Sequence, residues 1–178
     1  FLLIFHQAHN IEIAPGALER FIDVAESTDA GMVYSDYIEV KNGEWREHPL
    51  NDYQPGSIRD EFDFGNVILY SIPAIHRTLK KFGEIPDVHF AGLYDLRLKL
   101  SIDHRLFHIQ EFLTTKLESV DKSGEKDQLR ENIFNYVDPG NQSAQREMEA
   151  VAIQHLKNIG AYLKPHFKNV PFSLQEFP

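Results

Sequence analysis

Cysteine is absent from the 178 residues, which excludes disulfide staples and thiolate-zinc sites. A basic surplus is absent too: 27 acidic residues face 18 Lys and Arg, for a formal charge of −9. Phosphate-backbone binding needs a basic face, so nucleic acid is not an expected partner. Long apolar runs are also missing. The opening "FLLIF" falls far short of the ~20 apolar residues of a membrane-spanning helix. No basic segment precedes it, as a secretion signal would require. No membrane span is expected, and a reducing cytoplasm is the expected compartment. No internal repeat is evident, which argues against a solenoid.

What the chain does contain alternates between two periodicities. Phe1 to Phe5 is continuously apolar and predicts a buried strand. Pro15 suits a first helical position, and Leu18, Phe21, Ile22 and Ala25 form the apolar stripe of a helix ending near Thr28. "GMVYSDYIEV" (31–40) is β-branched and aromatic and predicts a strand; Asn42-Gly43 is a hairpin turn into "EWREH". Residues 49–65 show no period and carry Pro, Gly and Asp, the composition of a long loop, either functional or mobile. "NVILYS" (66–71) predicts a strand, Pro73 to Phe82 a helix, and "RLFHIQEFL" (105–113) a further strand. Leu93, Leu96 and Leu100 place a helix over "GLYDLRLKLS". Met148, Val151, Ala152, His155, Leu156, Ile159 and Leu163 make the clearest amphipathic helix. The expected class is α/β, a mixed open sheet flanked by helices. Residues 1–117 form the main portion, and 118–178 an extension with one long amphipathic helix.

The succession "FLLIF", "PGALERF", "GMVYSDY", "FDFGNVIL", "GLYDLRLKLS" and "HIQEFLTTKLE" resembles the second half of a family 2 glycosyltransferase, a nucleotide-sugar enzyme of the GT-A fold. The likeness covers about residues 1–118. It implies transfer of a sugar from a nucleotide-sugar donor to a glycan or lipid-linked acceptor, with inversion. In that family a Glu-Asp-x-x-Leu-like motif supplies the catalytic base. Here Tyr94-Asp95-Leu96-Arg97-Leu98 stands in its place, so the resemblance assigns Asp95 as general base, with Tyr94 beside it at the substrate. Such a base takes the acceptor hydroxyl proton as the oxygen attacks the anomeric carbon. The competing reading is that Asp95 caps its helix or pairs with Arg97 or Lys99.

The resemblance also implies Mg²⁺ or Mn²⁺, held by an Asp-x-Asp motif after the first strand. This chain has His6-Gln7-Ala8-His9 there, which lacks the hard carboxylate ligands such ions favour. His9 is the remaining ligand candidate, and a hydrogen-bonded structural His is the commoner arrangement. The nucleotide-binding half that precedes this region in the family is expected upstream of Phe1.

Asp36 ends a strand where cleft residues of open α/β folds sit, and could contact substrate or cap a turn. Trp45 and Tyr53 offer aromatic faces for the C–H patches of a pyranose ring. Arg59, Asp60 and Asp63 offer hydrogen bonds to hydroxyls, or salt bridges that pin the loop. "DFG" lacks every other kinase element. His104 and His108 lie on a predicted strand without a zinc motif, His89 reads as a loop residue, and His155 as a core histidine.

Overall fold

The computed structural model describes residues 1–5, 10–117 and 142–166. His6, His9, the polar stretch 118–128 and the predicted turn at 138–141 lie outside them. The protein is α/β, as the sequence predicts. Its strands are β1 (Leu2–Phe5), β2 (Asn10–Ile13), β3 (Met32–Lys41), β4 (Glu44–His48), β5 (Val67–Tyr70) and β6 (Leu106–Leu117). Its helices are α1 (Ala17–Thr28), α2 (Ile72–Phe82), α3 (Gly92–Asp103) and α4 (Gln142–Asn158).

The sheet is mixed, in the order β1-β5-β3-β6-β2, with β4 paired to the outer half of β3. Among the described strands, only β3 and β6 run parallel. Side-chain alternation along β3 builds two cores. Val33 points to α1, where Phe21, Val24, Ala25, Leu69 and Ile109 gather. Met32 and Tyr34 point the other way, onto Ile68, Tyr70, Leu96 and Leu100. A third cluster joins α3 to α4 through Tyr94, Leu98 and Val151, with Met148 and Ala152 against it.

Three expectations from the sequence are corrected. The first strand was expected to be buried, but β1 is an edge strand with Phe1, Leu2 and Phe5 exposed, because only β5 pairs with it. The last helix was expected to reach Leu163; it ends at Asn158, before Gly160 at positive φ, and Leu163 is exposed. The largest difference is in α3. Leu93 is exposed, whereas every residue from Tyr94 to Leu100 is buried, charges included. A helix packed between sheet, α2 and α4 has no solvent face for a stripe to oppose.

Backbone approach is closest at the start of β3. Gly31 donates to the Arg105 carbonyl and accepts from Ser71 N. A Cβ at Gly31 would lie 2.7 Å from His104 Cβ, an atom fixed by the backbone. Gly31→Ala should therefore destabilise the fold by about 1–3 kcal/mol. Thermal denaturation checks this, and an unchanged midpoint would show that the strand start yields freely.

Candidate functional site

Residues 49–66 cross the top of the sheet without regular structure, yet buried side chains hold them at many points. Tyr34 Oη donates to the Asn51 carbonyl and Tyr53 Oη to the Ser57 carbonyl. Leu50 N donates to Asp36 Oδ1 at 2.6 Å. From α3, Tyr94 Oη donates to the Ile58 carbonyl and Arg97 Nη2 to the Arg59 carbonyl at 2.8 Å. Buried polar groups must be paired, and here the irregular backbone supplies the acceptors.

Arg97 is the centre of this arrangement. Its guanidinium lies 4.8 Å from the Tyr94 ring centroid, 5.5 Å from Phe64 and 5.8 Å from Tyr53. Burial lowers its pKa from the ordinary arginine value. The ring faces and the Arg59 carbonyl replace part of the lost hydration. Phe62 and Phe64 pack edge-on against Tyr34, so the aromatic residues of the segment are clamped between β3 and α3.

Beside this cage opens a cavity of about 490 Å³. Tyr37, Tyr94 and Phe90 give it aromatic faces, and its polar groups are Asp60, Glu61, Asp63, Asn66, Arg97 and Lys116. Asp63 Oδ1 accepts from Gly65 N at 2.8 Å, so the carboxylate is fixed by its own turn. Gly65 itself sits at φ 74°, where an added Cβ would lie 2.9 Å from the Ser35 carbonyl oxygen. Burial, and then the Asp63 charge, push the Tyr37 hydroxyl up to about 12, so it stays protonated at neutral pH. Met148 of α4 closes one side.

A second constellation lies across the sheet top. His108 places Nε2 2.8 Å from Asp36 Oδ1 and Nδ1 2.8 Å from Asp52 Oδ1. Its ring stacks on Tyr34 at 4.8 Å, 9° from parallel. Parallel pairing puts Tyr34 beside His108, and a register shift after Ser35 brings Asp36 to the same ring. Each ring nitrogen thus faces a carboxylate oxygen. The hydrogen bond from His108 holds the Asp52 carboxyl below its ordinary pKa. A groove of about 840 Å³ runs past this triad along α1.

The structure brings together Tyr94 and Asp63 at the first cavity, with Asp60. Tyr53 is buried beneath them and borders the groove instead. Arg59 contributes its carbonyl to Arg97. Asp36 is buried, with its Oδ1 shared between Leu50 N and His108. Trp45 is 68% exposed on β4 and borders neither hollow. Asp95 also borders neither: it is 4% exposed, and Oδ2 lies 2.7 Å from Lys99 Nζ. Burial raises its pKa, and Lys99 opposes that rise. Lys99 also donates to the Gly83 and Glu84 carbonyls. Asp95 is thus half of a buried ion pair that ties α3 to the end of α2.

Among the described residues, no three His, Asp or Glu side chains converge as a metal site, and His9 lies outside them. The chemistry on hand is that of carboxylates, a guanidinium, the Lys116 ammonium, the His108 imidazole and aromatic faces. Sequence reasoning missed Arg97, Asn66 and the His108 triad. Only the triad left a signal, since Tyr34 and Asp36 share one strand face. No family model matches the chain, and no curated protein matches it significantly.

Removing one partner of a buried pair strands the other charge. Lys99→Met should cost about 3–5 kcal/mol, while the double change Asp95→Leu/Lys99→Met should recover most of that loss. Urea denaturation of the three proteins checks this. Equal loss in single and double variants would show that Asp95 is not held by Lys99.

Proposed function

We propose that this chain is the acceptor-side portion of a glycosyltransferase of the family 2, GT-A kind, which seats a sugar hydroxyl in the aromatic and acidic cavity beside Arg97. The observation that carries this reading is the pairing of ring faces with fixed carboxylates in one hollow. Tyr94, Tyr37 and Phe90 offer C–H packing surfaces, and Asp60 and Asp63 offer acceptors for hydroxyl protons. The order of short motifs along residues 1–118 points the same way.

Within this reading the proton acceptor is Asp63 rather than Asp95. Asp63 faces the cavity and is oriented by Gly65 N, whereas Asp95 is committed to Lys99. A general base must reach the proton it removes; position outranks intrinsic strength. The donor would be a nucleotide sugar, the acceptor a glycan or lipid-linked saccharide. The Mg²⁺ or Mn²⁺ implied by the resemblance would neutralise the leaving diphosphate. The described residues supply no set of ligands for it.

A second reading is a non-catalytic relative that binds carbohydrate or a protein partner. The engagement of Asp95 by Lys99 favours it, since the residue that matches the motif is not free to accept a proton.

The test uses the intact protein that contains this chain, with nucleotide sugars, Mg²⁺ or Mn²⁺ and saccharide acceptors. Asp63→Asn should lower turnover by about 10²–10⁴-fold at unchanged thermal stability. Full activity in Asp63→Asn, with turnover lost in a folded Asp95→Asn, would return the base to Asp95. Saccharide binding without any transfer would establish the non-catalytic reading.

A further inference from the structure

Helix α4 is attached to the rest of the protein at two unusual points, one on the segment that leads into α3 and one against α3 itself. At its N-terminal end, the Glu147 carboxylate accepts from three successive backbone amides: His89 N at 3.2 Å, Phe90 N at 2.8 Å and Ala91 N at 3.2 Å. These amides lead into α3, whose own N-cap, Ala91, has no capping side chain. Glu147 therefore performs from another helix the role that a Ser or Asp cap performs locally. Eight residues further on, two helical turns along the same face, His155 is 3% exposed. Neither of its ring nitrogens has a hydrogen-bond partner among the described residues. Met148, Val151 and Ala152 fill the face between them.

We propose that α4 is an acid-released strap: it docks on α3 while His155 is neutral, and it lifts when His155 takes up a proton, opening the side of the cavity that Met148 closes. An imidazolium in this position would be buried, without an acceptor, and close enough to feel the Arg97 guanidinium. Burial first, and Arg97 second, already hold the His155 pKa below its ordinary value. The element packed most closely against α4 is α3, and the segment before it, with His89, meets Glu147. Of the ionisable groups on α3, Tyr94 contacts the Val151 cluster and Arg97 acts on His155, while Asp95 and Lys99 neutralise one another. No carboxylate among these is available to pair with a protonated His155.

The direction in pH follows. A histidine with a depressed folded pKa costs nothing while both states are neutral, above about pH 6.5. Docking weakens as pH falls below that value toward the depressed one. Glu147 works in a separate window. Its pKa is lowered by the Phe90, His89 and Ala91 amides, so its contribution is complete above the ordinary Glu value, about 4.3, and fades only below it. Between these limits His155 is the group buried in the α3–α4 contact, while His89 acts on Glu147 from the segment before α3. The device is independent of the sugar-transfer reading, since it concerns only how α4 seats on α3.

Amide hydrogen exchange on the full chain, corrected for intrinsic rates, tests the strap between about pH 7.5 and pH 5.5, either side of the ordinary His pKa. Exchange in residues 147–158 and at Phe90 and Ala91 should rise several-fold at the lower pH, while β3 and β6 stay protected. His155→Leu should keep α4 protected at both values; His155→Gln, a polar side chain that takes no proton, should also be flat and serves if the leucine variant misfolds. Glu147→Gln should weaken protection at both pH values and keep the pH response. Protection in the unaltered chain that does not change with pH, or a response that persists in both His155 variants, would overturn the proposal.

Discussion

A helix segment buried on every side must find a partner for each charge it carries, and Tyr94 to Leu100 of α3 carry three: Asp95, Arg97 and Lys99. Isolated, any of them would cost several kcal/mol in a protein interior. The fold answers by bringing its irregular backbone to the helix. Lys99 takes Asp95 and the carbonyls that end α2; Arg97 takes the Arg59 carbonyl and three ring faces. The long segment before β5 is therefore fixed because a buried cation needs its oxygen and its rings. The cavity beside Tyr94 inherits its shape from that need.

The same logic explains why so many polar groups sit at the top of the sheet. Asp36, His108 and Tyr34 are each buried on strands and each reach the segment through a hydrogen bond or an ion pair. Each contact is worth only about 0.5–1.5 kcal/mol net, yet leaving any one unmade would cost more. Order in residues 49–66 comes from satisfying these groups one by one. That is how a stretch rich in Pro, Gly and Asp can present Asp60 and Asp63 at defined positions.

Much of this architecture was legible in the sequence. β3, the Asn42-Gly43 hairpin, β5 and α2 follow from alternation and turn chemistry within a residue or two. The segment 49–65 stood out by its lack of period, and Asp63 and Tyr94 do share a cavity. Periodicity failed at α3, because it reports one apolar face and says nothing of a second wall built by α4, far away in the chain. The pairing of Asp95 with Lys99 stood among the alternatives to the base, beside pairing with Arg97 and helix capping; which of them holds depends on burial. Glu147 was unreadable, since a carboxylate that caps a helix from another helix leaves no local pattern.

The account rests on Arg97 holding the segment in place, and amide exchange across residues 57–66 measures this directly. In Arg97→Gln, exchange there should rise several-fold while β3 and β6 remain as protected as before. Unchanged protection in 57–66 would show that the segment is ordered without the buried guanidinium, and the central claim would fall.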